Sequence, residues 1–153
     1  MQKITTFLTF ESKGKEAVDF YVSIFKNSKL HGSMVMPGED KLLHAAFTLD
    51  GQEFMAMDGG PHFKFEDGTS LYVTCNDQAE VDYFWEKLGS DGGQPGQCGW
   101  LKDKFGVSWQ IIPNALGELM QDPDMAKAQR VREAMLKMGK IDIAGLQQAH
   151  DQA

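Results

Sequence analysis

The chain has few cysteines and a shortage of basic side chains. Cys75 and Cys98 are its two cysteines, and their spacing fits neither a metal finger nor a redox motif, so we expect two reduced thiols. Against 22 Asp and Glu residues stand 15 Lys and Arg residues, which gives a net charge of −7. This negative excess repels phosphate backbones, and no basic cluster alternates with aromatic residues. We therefore expect no nucleic-acid partner.

Long apolar runs are also missing. The longest uninterrupted apolar stretches are only a few residues, too short for a membrane span or for the core of a signal peptide. We therefore expect a cytoplasmic protein with no membrane partner. The 153 residues, of which 42% are apolar and 24% charged, suit one globular domain over residues 1–153.

Hydrophobic periodicity predicts a strand, a helix and three further strands in a first βαβββ module over residues 3–58. Asp50-Gly51 has the residue preference of a tight hairpin turn between two of these strands. The strand patterns have period two and the helix has helical spacing. The predicted strands are residues 4–10, 29–36, 42–49 and 53–57, and the predicted helix is residues 15–25.

The same order is predicted again in a second module over residues 69–113, after a connector of glycine and aromatic residues at 59–68. Its helix ends near residue 88 and is capped by Asn76 or Asp77. The predicted strands are residues 70–75, 100–102 and 107–112, with a glycine-rich stretch at 89–99.

Residues 114–153 predict C-terminal helices. Asp122 is the expected N-cap of one helix, with Pro123 at its first position and Gly139 at its end. A last short helix is expected over residues 143–150. One apolar stripe, which either packs against the same subunit or embraces a partner subunit, consists of Met125, Ala128, Val131, Met135 and Met138.

An internal repeat supports two tandem modules. Ala17-Val18-Asp19-Phe20-Tyr21 aligns with residues 80–84, and the turn around Gly51 aligns with the turn around Gly106. The alternative is a chance similarity between two amphipathic helices. The repeat predicts an α+β fold of two βαβββ modules with C-terminal helices.

The sequence resembles the PhnB-like branch of the vicinal oxygen chelate (glyoxalase, bleomycin-resistance, dioxygenase) superfamily. This branch is also called 3-demethylubiquinone-9 3-methyltransferase-like. The resemblance implies a homodimer and a cupped mixed sheet whose concave face forms a small-molecule pocket. The matching segments are EAVDFY at 16–21, GQEFMA at 51–56, GGPHF at 59–63, GQCGWLKDKFG at 96–106 and SWQIIP at 108–113.

The glycine pattern argues against a self-sufficient methyltransferase. A Rossmann-type cofactor site needs a glycine turn through which backbone approaches the ligand at a helix N-terminus. Among the 16 glycines, no two are separated by a single residue, so the core of a G-x-G turn is absent.

The resemblance also implies a divalent metal, held by His, Glu or Gln side chains on the first and last strand of each module. The repeat places these four positions near Phe7, Met55, Ser70 and Gln110, with Thr6 in place of Phe7 if the register slips by one. Gln110 alone is a plausible ligand, and one neutral amide oxygen binds a divalent ion weakly. We therefore expect neither the standard metal nor another cofactor.

A non-standard metal site is the rival interpretation. His44 and His62, together with Glu53 and Gln110, supply ligand types that bind divalent metals. No pair of these has the close spacing of a metal motif, and hydrogen-bonding roles for the two histidines are the alternative. His31 and His150 are interpreted as solvated surface residues.

Strand alternation predicts the side chains that line the concave face. Ser70, Tyr72 and Thr74 share one face of their strand, as do Ser108, Gln110 and Ile112 of the last strand. This mixture of soft apolar, hydroxyl and amide groups suits an uncharged or weakly polar molecule. The predicted ligand-binding residues are Met55, Met57, Ser70, Tyr72, Trp100, Gln110, His62, Phe63 and His44.

Two functions follow as hypotheses. The first is a metal-free small-molecule-binding homodimer. The alternative is an enzyme of glyoxalase or dioxygenase type with a non-standard divalent metal. Cys98 lacks a histidine close in sequence that would hold its thiolate, so we do not expect it to be a nucleophile. The sequence identifies no catalytic residue.

Overall fold

A computed structural model of the protein describes residues 2–152; Met1 and Ala153, the ends of the predicted domain, lie outside the described residues. The chain forms two compact units that meet in sequence at Phe65 and Glu66, inside the predicted connector. The predicted α+β architecture is confirmed, because each unit contains a four-stranded mixed sheet and the chain ends in helices.

The first unit has a strand, a helix and three strands, as predicted. Its sheet has the order β1-β4-β3-β2, in which β1 runs parallel to β4 and the other pairs are antiparallel. Ile4 lies outside the first strand and is 87% exposed, so that strand begins two residues later than predicted. The elements are β1 (Thr6–Phe10), α1 (Gly14–Ile24), β2 (Lys29–Val35), β3 (Leu42–Leu49) and β4 (Gln52–Asp58).

Local chemistry fixes two junctions of this unit. Asp50 and Gly51 both adopt positive φ, at 49° and 79°, which is the backbone of the predicted two-residue hairpin turn. The buried carboxylate of Asp58 accepts hydrogen bonds from the backbone N–H groups of Gly14 at 2.8 Å and Leu42 at 2.9 Å. It thereby ties the start of α1 to the sheet.

The second unit repeats this order and continues into three helices. Its sheet has the order β5-β8-β7-β6, again with its first and last strands parallel. The short strand β6 lies within the predicted glycine-rich stretch at 89–99. The elements are β5 (Leu71–Cys75), α2 (Gln78–Leu88), β6 (Gln94–Pro95), β7 (Trp100–Lys102), β8 (Ser108–Pro113), α3 (Asn114–Met120), α4 (Met125–Leu136) and α5 (Ile143–Asp151).

Helices α2 and α4 each begin at an aspartate whose carboxylate accepts a hydrogen bond from a backbone N–H group of the first turn. Of the two predicted caps of α2, Asp77 is the one that accepts a hydrogen bond, from Glu80 N at 2.9 Å. The prediction of Asp122 as the cap of α4 was wrong. Asp124 caps that helix by accepting from Ala126 N at 3.0 Å, while Asp122 accepts from Asp124 N at 2.8 Å.

The end and the apolar stripe of α4 also differ from the prediction. The helix ends at Leu136, before Gly139, and Met138 and Ile141 beyond its end pack in the buried apolar cluster. Met135 and Met138 pack against that cluster, whereas Met125 is 83% exposed. The predicted stripe is therefore interrupted at its first member.

The strand pairing corrects the register of the internal repeat. Phe7 pairs with Met55 in the first sheet, and Tyr72 pairs with Gln110 in the second. Tyr72 is therefore the equivalent of Phe7, and the prediction of Ser70 for this position was wrong by two residues. Three residues separate β1 from α1 but only two separate β5 from α2, which accounts for one residue of this shift. The other arises because α1 and α2 begin 64 residues apart (78 − 14), whereas the repeat aligned Ala17 with residue 80, an offset of 63.

None of the helices within residues 2–152 is both long enough and apolar enough to cross a bilayer.

Candidate functional site

The two faces of the second sheet are distinguished by burial. Leu101 pairs with Trp109, and both side chains are buried on the face that packs against α2. Side chains alternate between faces along a strand, so their neighbours point to the opposite face, which we call the sheet-2 face. It carries Tyr72 from β5, Trp100 and Lys102 from β7, and Ser108, Gln110 and Ile112 from β8.

Tyr72, Gln110 and Trp100 form one row across the sheet-2 face. Gln110 pairs with Tyr72 on one side and with Trp100 on the other. The amide Nε2 of Gln110 donates a hydrogen bond to the hydroxyl of Ser70 at 2.9 Å. This bond fixes the orientation of the amide, so that its carbonyl oxygen remains available as an acceptor next to two aromatic rings.

Tyr72 contributes a neutral phenol to this row. Its side chain is 58% exposed. Partial burial raises the pKa of Tyr72 above its ordinary value of 10.0, and the negative charge of a Cys75 thiolate would raise it further. The hydroxyl of Tyr72 is therefore protonated at neutral pH and able to donate or accept a hydrogen bond.

A pocket of about 330 Å³ opens at one end of this row, where Trp100 lines it; Tyr72 and Gln110 lie outside its lining. Its two charged residues, Lys102 and Asp67, form an ion pair with an N–O distance of 2.6 Å. The size is at the lower end of small-molecule sites. The lining residues are Asp67, Gln94, Pro95, Gly96, Trp100, Leu101, Lys102 and Ser108.

The residues predicted in the first module lie on the corresponding face of the first sheet. Met55 and Met57 are half-buried on the face opposite α1, and His44 is exposed on the same face. Phe63 folds back from the connector onto Gly59. A Cβ built on Gly59 would lie 2.5 Å from the ring of Phe63 and 2.6 Å from the methyl of Thr9. His62 is exposed in the same turn and does not join this group.

Predicted and observed positions differ most at Ile112. This residue points to the sheet-2 face as predicted, but it is only 7% exposed because residues from the C-terminal helices cover it. Sequence reasoning also missed Asp67, Gln94 and Lys102 in the pocket. The two-residue strand that carries Gln94 has no periodicity, and nothing local indicates that Asp67 pairs with Lys102.

The four positions implied for a metal do not fit a divalent ion. In the first sheet they are Phe7 and Met55, whose side chains have no oxygen or nitrogen donor. In the second sheet they are Tyr72 and Gln110, a protonated phenol and one amide. Residues 2–152 hold no group of three His, Cys, Asp or Glu side chains arranged to bind a metal ion. Divalent ions are held by carboxylates, imidazoles or thiolates, and this donor set lacks them.

The pairing of strands and the repeated βαβββ order define the fold class of the vicinal oxygen chelate superfamily. The fosfomycin resistance protein FosX of Mesorhizobium loti has this fold, with 11% identity, a TM-score of 0.50, and coverage of 71% of this chain and 90% of that protein. A protein of Pseudomonas aeruginosa is similar over 73% of this chain and 96% of its own, with 22% identity and a TM-score of 0.57.

Within that superfamily, the chain belongs to the 3-demethylubiquinone-9 3-methyltransferase family, and its sequence resembles the PhnB-like members of that family. The family model matches residues 2–112. The PhnB protein of Bacillus cereus is 40% identical, with a TM-score of 0.68, and the match covers 72% of this chain and 99% of that one. No curated protein matches the chain. The family match ends before α3, so the three C-terminal helices lie beyond it.

Proposed function

We propose that this protein binds an uncharged or weakly polar small molecule on the sheet-2 face, without a metal ion. The single observation that supports this most directly is the row Tyr72, Gln110 and Trp100, which combines two aromatic rings with neutral polar groups beside a pocket. The charges of Asp67 and Lys102 are paired with each other. A charged ligand would therefore have no unpaired counter-ion among these lining residues.

The orientation of Gln110 supports a ligand with a hydrogen-bond donor. Since one N–H of its amide is engaged by Ser70, the carbonyl oxygen of Gln110 can accept a hydrogen bond from the ligand. An aromatic or cyclic ligand with a hydroxyl or N–H group would stack against Trp100 and donate to Gln110. Such sites combine mainly apolar walls with a few placed polar groups.

The donor set supports a metal-free site. Gln110 and Tyr72 would leave a divalent ion with neutral ligands only, and His44 and His62 are both exposed and belong to different elements of the first unit. Metal analysis of the purified protein after exposure to Zn²⁺ or Mn²⁺ and dialysis tests this. We expect far less than one equivalent of metal. A stoichiometric ion that is lost in His44→Ala would favour the enzyme with a non-standard site.

The N-termini of α1 and α2, the helices of the two βαβββ modules, are occupied by the protein's own carboxylates. The carboxylate of Asp58 already accepts from Gly14 N at the start of α1. Asp77 and Glu80 occupy the start of α2, where Glu80 accepts from Asn76 N at 2.7 Å. A helix N-terminus binds a phosphate through free N–H groups. These two starts offer no free phosphate site, and the chain lacks the G-x-G turn of a Rossmann-type cofactor site, so we do not propose methyl transfer as the activity.

A homodimer in the cytoplasm is part of the proposal. Phe7 is 44% exposed on the first sheet and Met34 is 62% exposed on the edge strand β2. Exposed apolar side chains of this kind support association with a second copy. Cys75 and Cys98 are both free thiols, which supports a reducing compartment. Sedimentation equilibrium tests the dimer, and a monomer mass at micromolar concentration would contradict it.

Ligand binding is tested by thermal shift with neutral aromatic alcohols such as 2-naphthol. We expect a concentration-dependent rise in melting temperature, because a ligand that binds the folded state stabilises it. The rise should be absent in Gln110→Ala and retained in Gln129→Ala, since Gln129 is an exposed glutamine of α4 bonded to Glu133. A rise of equal size in both variants would contradict the proposed site.

A further inference from the structure

The C-terminal segment, residues 114–152, continues the chain beyond the family match and packs directly onto the sheet-2 face. Ile112 follows Gln110 on that face, and it is buried in one cluster with residues of the segment. The segment therefore occupies the part of the face that lies next to the proposed ligand site. The members from the segment are Leu116, Val131, Ile141 and Leu146.

The same segment holds the loop that forms one wall of the pocket. The N–H groups of Cys98 and Gly99 donate to the carbonyl oxygens of Met138 and Gly139, both at 2.8 Å. On its other side, the carbonyl of Gly99 accepts from Ile111 N at 2.7 Å. The loop of residues 96–100 is thus fixed between β8 and the C-terminal segment.

Gly99 lies at the tightest point of this arrangement. Its φ is +84°, and an added Cβ would lie 2.6 Å from Cδ1 of Ile112 and 3.2 Å from Cγ1 of Ile141. No side chain fits here without displacing a neighbour, so the backbone of Gly99 packs closely against Ile112 and Ile141. The next residue in the chain is Trp100, which lines the pocket together with Gly96.

A polar clamp on α2 fixes the segment itself. The side chain of Gln78 donates to the carbonyl oxygen of Ile141 at 3.0 Å and accepts from Ile143 N at 2.8 Å. Beside it, Lys140 forms an ion pair with Asp82 at 2.8 Å. Both polar ends of one glutamine are therefore used to hold residues 140–143 in place.

We propose that the C-terminal segment determines the shape of the ligand site by positioning Trp100, with Gln78 and Ile141 as its positioning residues. The chain of contacts runs from Gln78 to Ile141, then to Gly99, and from there to the indole that lines the pocket. The part of this inference that concerns ligand affinity rests on the proposed function. The part that concerns the position of Trp100 does not.

The test uses the full chain labelled with 5-fluorotryptophan and followed by ¹⁹F NMR, with the Trp100 signal assigned through Trp100→Phe. Gln78→Ala removes the clamp, and Ile141→Val removes one methylene from the packed position while keeping the fold. Gln147→Ala is the matched control, because Gln147 bonds only to Asp151 on exposed α5 among the contacts described.

We expect both test variants to shift or split the Trp100 signal of the free protein, and to move it more than the Trp109 signal. They should also weaken 2-naphthol binding by about threefold or more, the size of effect that positioning contacts have on a coupled site. Gln147→Ala should change neither. If the Trp100 signal stays unchanged in both Gln78→Ala and Ile141→Val, the inference is wrong. If that signal moves but the unmodified chain does not bind 2-naphthol, the proposed function fails while the positioning role stands.

Discussion

Gln110 donates one of its two amide hydrogens to the hydroxyl of Ser70 over 2.9 Å, and this bond orients the amide and leaves its carbonyl oxygen as an acceptor. Gln110 lies on β8 and Ser70 immediately precedes β5, so the contact depends on the parallel pairing of β5 with β8. As a consequence, the side chain of Gln110, which stands at a position implied for a metal ligand, is held as a neutral hydrogen-bond acceptor.

The buried carboxylate of Asp103 should be important for stability. It accepts hydrogen bonds from Phe105 N at 2.8 Å, Val107 N at 3.1 Å and Nε1 of Trp109 at 2.8 Å. Asp103→Ala removes the acceptor of these three hydrogen bonds, and we expect a loss of about 3 kcal/mol in the free energy of unfolding. Urea denaturation measures this loss.

The matched control for this prediction is Asp67→Ala. Asp67 is another aspartate of the second unit, but its side chain is 78% exposed and its partner Lys102 is 40% exposed. Removing an exposed ion pair should cost less than about 1 kcal/mol. Equal losses in the two variants would show that the Asp103 bonds do not hold the turn before β8.

The two thiols should react at different rates. Burial raises the pKa of Cys75 to about 12, and the charges of Glu80 and Asp77 contribute to the same effect. Cys98 is half-buried and has neither disulfide nor full burial to protect it. In the native protein, we expect 5,5′-dithiobis(2-nitrobenzoic acid) to modify one thiol, and the second only in urea. In Cys98→Ser the native reaction should disappear, and its persistence would contradict the assignment.

The end of α5 should show a pH-dependent attachment. The imidazole of His150 lies 2.9 Å from Asp151 and 2.7 Å from Asp122, and Arg130 donates to the carbonyl oxygens of Ala149 and His150. The hydrogen bonds to Asp151 and Asp122 raise the pKa of His150 above its ordinary value of 6.5. The prediction of His150 as a solvated surface residue was therefore wrong.

The signs of these shifts define the pH window. The contribution of His150 is complete below pH 6.5 and is lost as pH rises through its raised pKa. The hydrogen bonds to His150 lower the pKa of Asp122 and of Asp151. The stability that these two carboxylates contribute is therefore present above pH 3.8 and is lost as the pH falls through their lowered pKa values. Amide exchange in α5, corrected for intrinsic rates, should be slowest between these limits. The loss on the basic side should vanish in His150→Gln, and an unchanged pH profile would contradict it.

Signals that act within a few residues could be predicted from the sequence. Asp50-Gly51 predicts its turn because few residue pairs accept two successive positive φ values. Asp77 was one of two candidate caps, since a short carboxylate reaches the N–H three residues later. The alternation of β8 correctly placed Gln110 and Ile112 on one face.

Properties that depend on distant parts of the chain could not be predicted in this way. Asp122 satisfies the local pattern of a cap, but it is drawn to His150 of α5 while Asp124 caps α4. Ile112 has the expected direction, yet its exposure depends on helices that follow in sequence. The equivalence of Phe7 with Tyr72 depends on a strand–helix loop that differs by one residue between the modules and on a helix alignment that was itself off by one residue. None of these facts has a local signature.

The most direct test of the central claim is a ¹H–¹⁵N NMR titration of the protein with 2-naphthol. The signals to follow are the indole N–H of Trp100 and the side-chain NH₂ groups of Gln110 and Gln129. If the sheet-2 face binds neutral aromatic molecules, the Trp100 and Gln110 signals should shift together and saturate, while the Gln129 signal stays in place. Saturating shifts confined to other residues, or no shift at Trp100 and Gln110 up to millimolar ligand, would contradict the account.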